Sequence, residues 1–319
     1  MIYAAYLVVA VAVVLLSIKA SEYVDLLDKK TKLSGAFIGG VMLSAVTSLP
    51  ELFTSLSSTV FLDKPGLCMG NILGSDLFNV TALCVVILVG MKGFSGAGIA
   101  KSHALVNLSV CMVYAVLLLN KLGVLDVQLF HVNIITLIII VLYIWGVRSM
   151  SSDDGGSESA EEEENYKGKD LPVKTIVIRF IAVSICIVAF SILITYITDA
   201  ISVKLNLGAG LAGALFLGIA TSLPELSSTI ALFRIKNYNI AIGNIVGSNI
   251  FNFIIIALSD LVYLKGGVYD YSDPKTVDLL LLGAIAMPMM QILLKFKNKA
   301  TQIICPVCVV ACYAAFLLI

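Results

Sequence analysis

Ten apolar stretches restrict this chain more than any other feature. They cover residues 2–20, 34–61, 67–90, 103–120, 128–147, 175–199, 208–233, 238–263, 276–295 and 301–318. Each approaches the roughly 20 residues that a helix needs to cross a hydrocarbon layer. In lipid every backbone polar group must be satisfied internally, and a helix does this within one segment. Hydrophobic residues make up 59% of the 319 and charged residues 13%, a balance that excludes a soluble domain. The expected fold class is an all-α polytopic membrane protein of ten transmembrane helices, surrounded by a lipid bilayer.

Lysine and arginine orient the segments. With the N-terminus outside, inward loops hold fifteen of them, including Lys29, Lys30 and Lys32, and the set Arg148, Lys167, Lys169, Lys174 and Arg179. Outward loops hold five: Lys64, Lys121, Lys204, Lys265 and Lys275. The positive-inside rule then puts both termini outside a plasma (cytoplasmic) membrane that the chain crosses many times. Residues 151–174 are the one long polar interruption, and 8 of the 21 acidic residues fall between Asp153 and Asp170. Such a composition builds no core. It is read as an acidic cytoplasmic linker between a first five-helix unit, 1–150, and a second, 175–319, with Glu161 to Glu164 solvated rather than a calcium-binding regulatory site.

Seven cysteines, mostly in apolar segments, form no extramembrane disulfide framework. Cys305-Pro306-Val307-Cys308 has a redox spacing but sits in an apolar helix, so it is read as packing. The run Ile2 to Leu16 has no basic residue before it and no small-residue cleavage site after it, and is expected to be a retained first helix.

Five helices per unit is an odd number, so the second unit enters the membrane from the opposite side. A duplication matches this inversion. Thr47-Ser48-Leu49-Pro50-Glu51-Leu52 returns as Thr221-Ser222-Leu223-Pro224-Glu225-Leu226. The next helices carry Gly70-Asn71-Ile72-Leu73-Gly74-Ser75 and Gly243-Asn244-Ile245-Val246-Gly247-Ser248, continuing to Asn79 and Asn252. The two motifs span 39–79 and 213–252. Inverted repeats whose broken helices, here the second and seventh, meet at the midplane are a secondary-transporter architecture.

Proline lacks an amide hydrogen and its ring clashes with the carbonyl four residues back, so Pro50 frees the Val46 carbonyl and Pro224 the Ala220 carbonyl. A kink is expected at each. Freed carbonyls, the hydroxyls of Thr47, Ser48, Thr221 and Ser222, and the carboxylates of Glu51 and Glu225 make an all-oxygen set. That suits a hard cation such as Ca²⁺ or Na⁺ rather than zinc or copper. No lysine or arginine falls near the middle of any span, so Glu51 and Glu225 need a cation, a proton or water for neutrality. Ser75 and Asn79, with Ser248 and Asn252, line one face of their helices at i, i+4 spacing and join the site. Asn71 and Asn244 divide evenly between coordination and helix-to-helix bonding. Asp76, with Asn249 as its counterpart, divides evenly between a cation route and a polar neighbour. His103 and His131 lie outside the repeats and are not read as ligands.

At these residues the sequence resembles the sodium/calcium exchanger family of the cation/calcium antiporter superfamily, in a prokaryotic-type form without large calcium-sensing domains. The resemblance implies ten helices in two inverted repeats. Glu51 and Glu225 would bridge Ca²⁺, and Thr47 and Thr221 would add backbone oxygen. Ser48, Ser222, Ser75, Ser248, Asn79 and Asn252 would help form flanking Na⁺ sites, while helices 1 and 6 slide across the other eight to alternate access. Asn252 stands where potassium-dependent relatives carry Asp, which argues against K⁺ co-transport. The expected function is antiport of Ca²⁺ against Na⁺, with H⁺ as the alternative coupling ion and a passive cation channel as the weaker reading. No enzymatic activity, cofactor or nucleic-acid partner is expected. The oligomeric state is left open, a monomer being compatible.

Overall fold

The computed structural model describes residues 1–31, 43–94, 98–151, 171–234, 236–296 and 298–319. Gly39, where the first repeat begins, and the acidic run Glu161 to Glu164 lie outside the described residues. The chain is helical almost throughout. Its first half runs α1 (Ile2–Thr31), α2 (Leu43–Thr47), α3 (Leu49–Leu56), a π-helical turn (Ser57–Phe61), α4 (Pro65–Val89), α5 (Met91–Phe94), α6 (Lys101–Lys121), the antiparallel hairpin β1 (Gln128–Leu129) and β2 (Val132–Asn133), and α7 (Ile134–Ser151). The second runs α8 (Val173–Leu205), α9 (Ala209–Ala212), a π-helical turn (Gly213–Gly218), α10 (Ile219–Arg234), α11 (Tyr238–Val262), α12 (Pro274–Lys295) and α13 (Lys299–Leu318).

Among the described residues, eight helical spans are long and apolar enough to cross a membrane, counting Ala209–Arg234 as one. Ile134–Ser149 is apolar but shorter. The expected span at 128–147 therefore begins late. Its first residues form the hairpin, in register Gln128 with Asn133 and Leu129 with Val132. Asn133 then ends the extended stretch, its side-chain oxygen accepting from Ile135 N at 3.1 Å while Asp260 accepts from its own backbone N at 3.0 Å.

The central helices α4 and α11 are the most enclosed of these spans. Helix α4 packs against the Gly213–Gly218 turn, α10, α11, α12 and α13. Small residues permit that approach. A Cβ on Gly70 would lie 2.1 Å from the Gly210 carbonyl oxygen, and one on Gly213 would lie 2.4 Å from that of Leu67. Helices α1 and α8 pack along each other, and each also covers the other half's signature helix, α1 on α10 and α8 on α3. Asp273 fixes the start of the second signature helix: its carboxylate accepts from Gly210 N at 2.7 Å and from Lys275 N at 2.9 Å, capping α9 and α12 together.

The two proline motifs differ. In the first, the helix is interrupted at Ser48, a turn residue with φ −88° and ψ 11°, and Pro50 lies in the first turn of α3, where a missing amide hydrogen costs little. In the second, α10 runs through Pro224. The irregular turn of this half lies upstream of Pro224, at Gly213–Gly218. Wide turns of this kind interrupt the i to i−4 ladder, and here three consecutive carbonyls accept from side chains. Phe216 O takes the Tyr6 hydroxyl (2.6 Å), Leu217 O that of Thr221 (2.9 Å) and Gly218 O that of Ser75 (3.2 Å). The protein itself supplies the donors that lipid lacks.

Candidate functional site

The two carboxylates meet through a crossed pair of contacts. Ser48 Oγ donates to Glu225 Oε1 at 3.3 Å, and Ser222 Oγ donates to Glu51 Oε1, also at 3.3 Å. The break at Ser48 and the wide turn before Ile219 bring the two signature helices close enough for each serine to serve the other copy's glutamate. Thr47 and Ser248 also face Glu225, and Thr221 faces Glu51. Both glutamates are buried, and each keeps its second oxygen, Oε2, buried without a hydrogen-bond partner.

Among the described residues, no positive side chain pairs with them. Ion pairs among the described residues join Lys19 to Glu22, Lys64 to Asp199, Lys265 to Asp63 and Lys275 to Asp278, none of them at the site. Asp63, in the loop after the Ser57–Phe61 turn, accepts from the Tyr263 hydroxyl at 2.6 Å and from Lys265 at 3.4 Å. These contacts, the tyrosine's first, hold the Asp63 carboxyl below its usual range, and the same contact pushes Tyr263 up to about 12.

The amides on α4 and α11 divide by position. Asn71 Nδ2 donates to Thr54 Oγ1 and Ser55 Oγ, both at 2.9 Å, and at 3.5 Å to the Glu51 carbonyl. Asn244 Nδ2 donates to Ser228 Oγ at 2.8 Å, and Ser228 donates to the Glu225 carbonyl at 3.0 Å. These two asparagines tie each glutamate's helix to its neighbour. Farther along, Asn79 Nδ2 donates to Asn249 Oδ1 at 3.0 Å and Asn252 Nδ2 to Asp76 Oδ1 at 2.9 Å, crossing between the halves again. In every one of these four asparagines the amide nitrogen is spent and Oδ1 is left buried without a partner, and the Ser248 hydroxyl is likewise unpartnered. Buried polar atoms are ordinarily paired. A concentration of bare acceptor oxygens around two carboxylates is what a cation would satisfy, which fits the hard-cation expectation.

Each expected site residue is thus found buried in this region. Ser75 is turned to the Gly218 carbonyl and Thr47 to the Ser44 carbonyl (3.1 Å). The histidines stay outside it: His103 Nε2 pairs with Asn239 Oδ1 (3.0 Å) and His131 Nε2 with the Leu261 carbonyl (3.2 Å). All seven thiols are free, Cys305 and Cys308 included. Two further buried residues, Asn249 and Tyr114, interact with Asp76. Asn249 was visible as the counterpart of Asp76. Tyr114, whose buried hydroxyl has no partner, comes from α6, outside the duplication, and has no local signature.

Comparison with known proteins bears on the same arrangement. The family model described as sodium/calcium exchanger protein matches residues 4–149 and 175–319. The inner membrane protein YrbG of Escherichia coli (strain K12) is 26% identical over 258 residues, covering 79% of this chain and 77% of that protein. Among solved structures, the sodium-calcium exchanger NCX_Mj, soaked with 100 mM Na⁺ and 10 mM Sr²⁺, superposes with a TM-score of 0.61 at 18% identity, covering 99% of each chain. The H⁺/Ca²⁺ exchanger CAX gives 0.67 at 13% identity, covering 99% of this chain and 87% of that one.

Proposed function

Because the chain belongs to the sodium/calcium exchanger family, we propose that it is a secondary antiporter moving Ca²⁺ across the plasma membrane in exchange for Na⁺ by alternating access. The observation that carries this reading is the crossed Ser48–Glu225 and Ser222–Glu51 pair, which leaves one bare, buried oxygen on each carboxylate. Two such charges balance one Ca²⁺ or two Na⁺. Left unloaded, they are costly inside a membrane, so the site crosses only when filled, and filling by either ion couples the two fluxes.

Glu51 and Glu225 bridge Ca²⁺ in this reading, and Thr47 and Thr221 contribute backbone oxygen. Ser48, Ser222, Ser75, Ser248, Asn79 and Asn252 complete flanking Na⁺ positions. The eight long spans, the Ser48-broken helix and the shorter α7 together make ten crossings, five per half and inverted, with residues 151–174 as the cytoplasmic linker. Helices α1 and α8, which pack on each other and on both signature helices, are the pair that moves.

A Ca²⁺/H⁺ exchanger is the second reading, favoured by the same two glutamates, since two protons neutralise them as well as two Na⁺. The shared fold does not choose between them. Proteoliposomes loaded with Na⁺ are expected to accumulate Ca²⁺ when external Na⁺ is removed. Uptake driven only by a pH gradient moves the assignment to protons, and Ca²⁺ flux indifferent to any counter-ion makes the protein a channel.

A further inference from the structure

The internal duplication contains its own control experiment at Asp76. Asn79 and Asn252 are equivalent, and so are Asp76 and Asn249. Each asparagine donates across the halves to the other half's member of that second pair: Asn79 to Asn249 Oδ1 at 3.0 Å, Asn252 to Asp76 Oδ1 at 2.9 Å. In one arm of this cross an amide oxygen is the acceptor. The hydrogen bond therefore needs no charge, yet the other arm has a carboxylate, on a fully buried residue. Asn249 Nδ2 also donates to the Asp76 backbone carbonyl at 3.2 Å, not to its side chain.

That leaves Asp76 Oδ2 buried with no partner, along with Oδ1 of Asn79 and of Asn252. A fourth bare oxygen belongs to Tyr114, whose hydroxyl interacts electrostatically with Asp76. Tyr114 is held there. Its ring meets Phe253 edge to face at 5.4 Å and lies on the bare backbone of Gly283, where a Cβ would come within 2.6 Å of the hydroxyl. No ion pair among the described residues involves Asp76. A buried carboxylate that a hydrogen bond does not need and no side chain neutralises takes up a cation or a proton, and the bare oxygens around Asp76 offer a cation ligands that a proton does not need.

We propose that Asp76 is the acidic ligand of a monovalent-cation subsite beside the glutamate pair, with Asn79 Oδ1, Asn252 Oδ1 and the Tyr114 hydroxyl as its neutral oxygens. One carboxylate with three neutral oxygens matches an alkali cation, because ligand charge and number set which ion a hard-oxygen site holds. The proposal rests on the antiporter reading for the role of the glutamates. With Asp76 the region carries three negative charges, so a bound Ca²⁺ leaves one to be balanced, and a monovalent cation binds alongside the divalent one.

The test uses the full chain in nanodiscs, with Ca²⁺ chelated and ionic strength held by N-methylglucamine. Na⁺ and K⁺ are titrated separately, and thermal unfolding is the readout. The wild type is expected to be stabilised saturably by at least one of them, the two arms identifying which. In Asp76→Asn, which reproduces the bonding of Asn249, half-saturation moves up by about tenfold or more, the effect of losing a full charge at contact range. Asp76→Asn/Asn249→Asp, which moves the carboxylate to the equivalent position, is expected to recover most of that loss. Tyr114→Phe, which removes an oxygen and no charge, gives a smaller shift and serves where Asp76→Asn does not fold. An Asp76→Asn or Tyr114→Phe titration superimposable on wild type overturns the proposal, as does a wild type stabilised by neither ion. Ca²⁺ is titrated in parallel. Failure of Ca²⁺ to stabilise the wild type, with the Asp76-dependent alkali shift intact, counts against the glutamate site alone.

Discussion

Replacing Glu51 or Glu225 by Gln keeps the shape of the side chain and its contact with Ser222 or Ser48, and removes one of the two charges a divalent ion needs. Ca²⁺ uptake into proteoliposomes is expected to fall by roughly a hundredfold or more, the cost of losing a near-contact charge in a poorly screened site. The same variants are expected to keep or raise the unfolding temperature measured without divalent ions, because they take an uncompensated charge out of the protein interior. Asn71→Ala has the opposite signature. It deletes the bonds to Thr54 and Ser55 and is expected to cost about 1 kcal/mol of stability, typical of interhelical hydrogen bonds in membranes, read as a lower unfolding temperature in detergent. At this scale the site was largely legible in the chain, because a duplicated acid in a duplicated polar motif names itself. Which asparagines tie a signature helix to its neighbour and which cross between the halves was not, since i, i+4 spacing puts Asn71 and Asn79 on one face but does not say that Thr54 and Ser55 lie opposite only the first. Tyr114 was out of reach, brought in by the packing of α6 rather than by any motif.

The helices themselves were legible from apolar length and their interruptions were not. Proline chemistry foretold freed carbonyls near residues 46 and 220. In the second half further carbonyls, at 216–218, take side-chain donors from Tyr6, Thr221 and Ser75. Those donors come from α1, from α10 itself and from α4, so the location of the wide turn is a property of the assembled bundle. The hairpin inside the expected span 128–147 escaped for a related reason. Its residues are apolar enough to pass as membrane helix, and only Asp260, more than a hundred residues away, captures the Asn133 backbone. The close approach of α4 to α9 is more predictable, because a Gly70 side chain has nowhere to go. Gly70→Ala puts a carbon against the Gly210 carbonyl oxygen, and overpacking of this kind costs about 1–3 kcal/mol or more, since backbone cannot rotate away. Its unfolding temperature is expected to drop more than that of Gly98→Ala, where the added carbon meets nothing within 4 Å.

Whether the two halves are antiparallel turns on two segments that length alone leaves short. Eight long spans taken alone would put both termini on one side, but so would ten, and only the ten-span arrangement divides the chain five and five around residues 151–174. The deciding segments are the Ser48-interrupted helix, whose irregular backbone is tolerable at membrane depth only where protein surrounds it, and α7. The apolar part of α7, Ile134–Ser149, has 16 residues and so extends about 24 Å at the α-helical rise, somewhat less than a hydrocarbon core of about 30 Å. The hairpin before it, paired Gln128 with Asn133 and held by Asn133 N to Asp260, lengthens the segment beyond its helical part. If both segments cross, the linker lies opposite the termini. An impermeant thiol reagent on a background with the native cysteines replaced is then expected to label a cysteine placed at residue 1, 124 or 319 from outside intact cells, and one at residue 160 only after permeabilisation. Labelling at 124 only after permeabilisation, from the same side as 160, means that neither short segment crosses and leaves α4 and α11 parallel. That result takes away the inversion by which one glutamate from each half reaches a common depth.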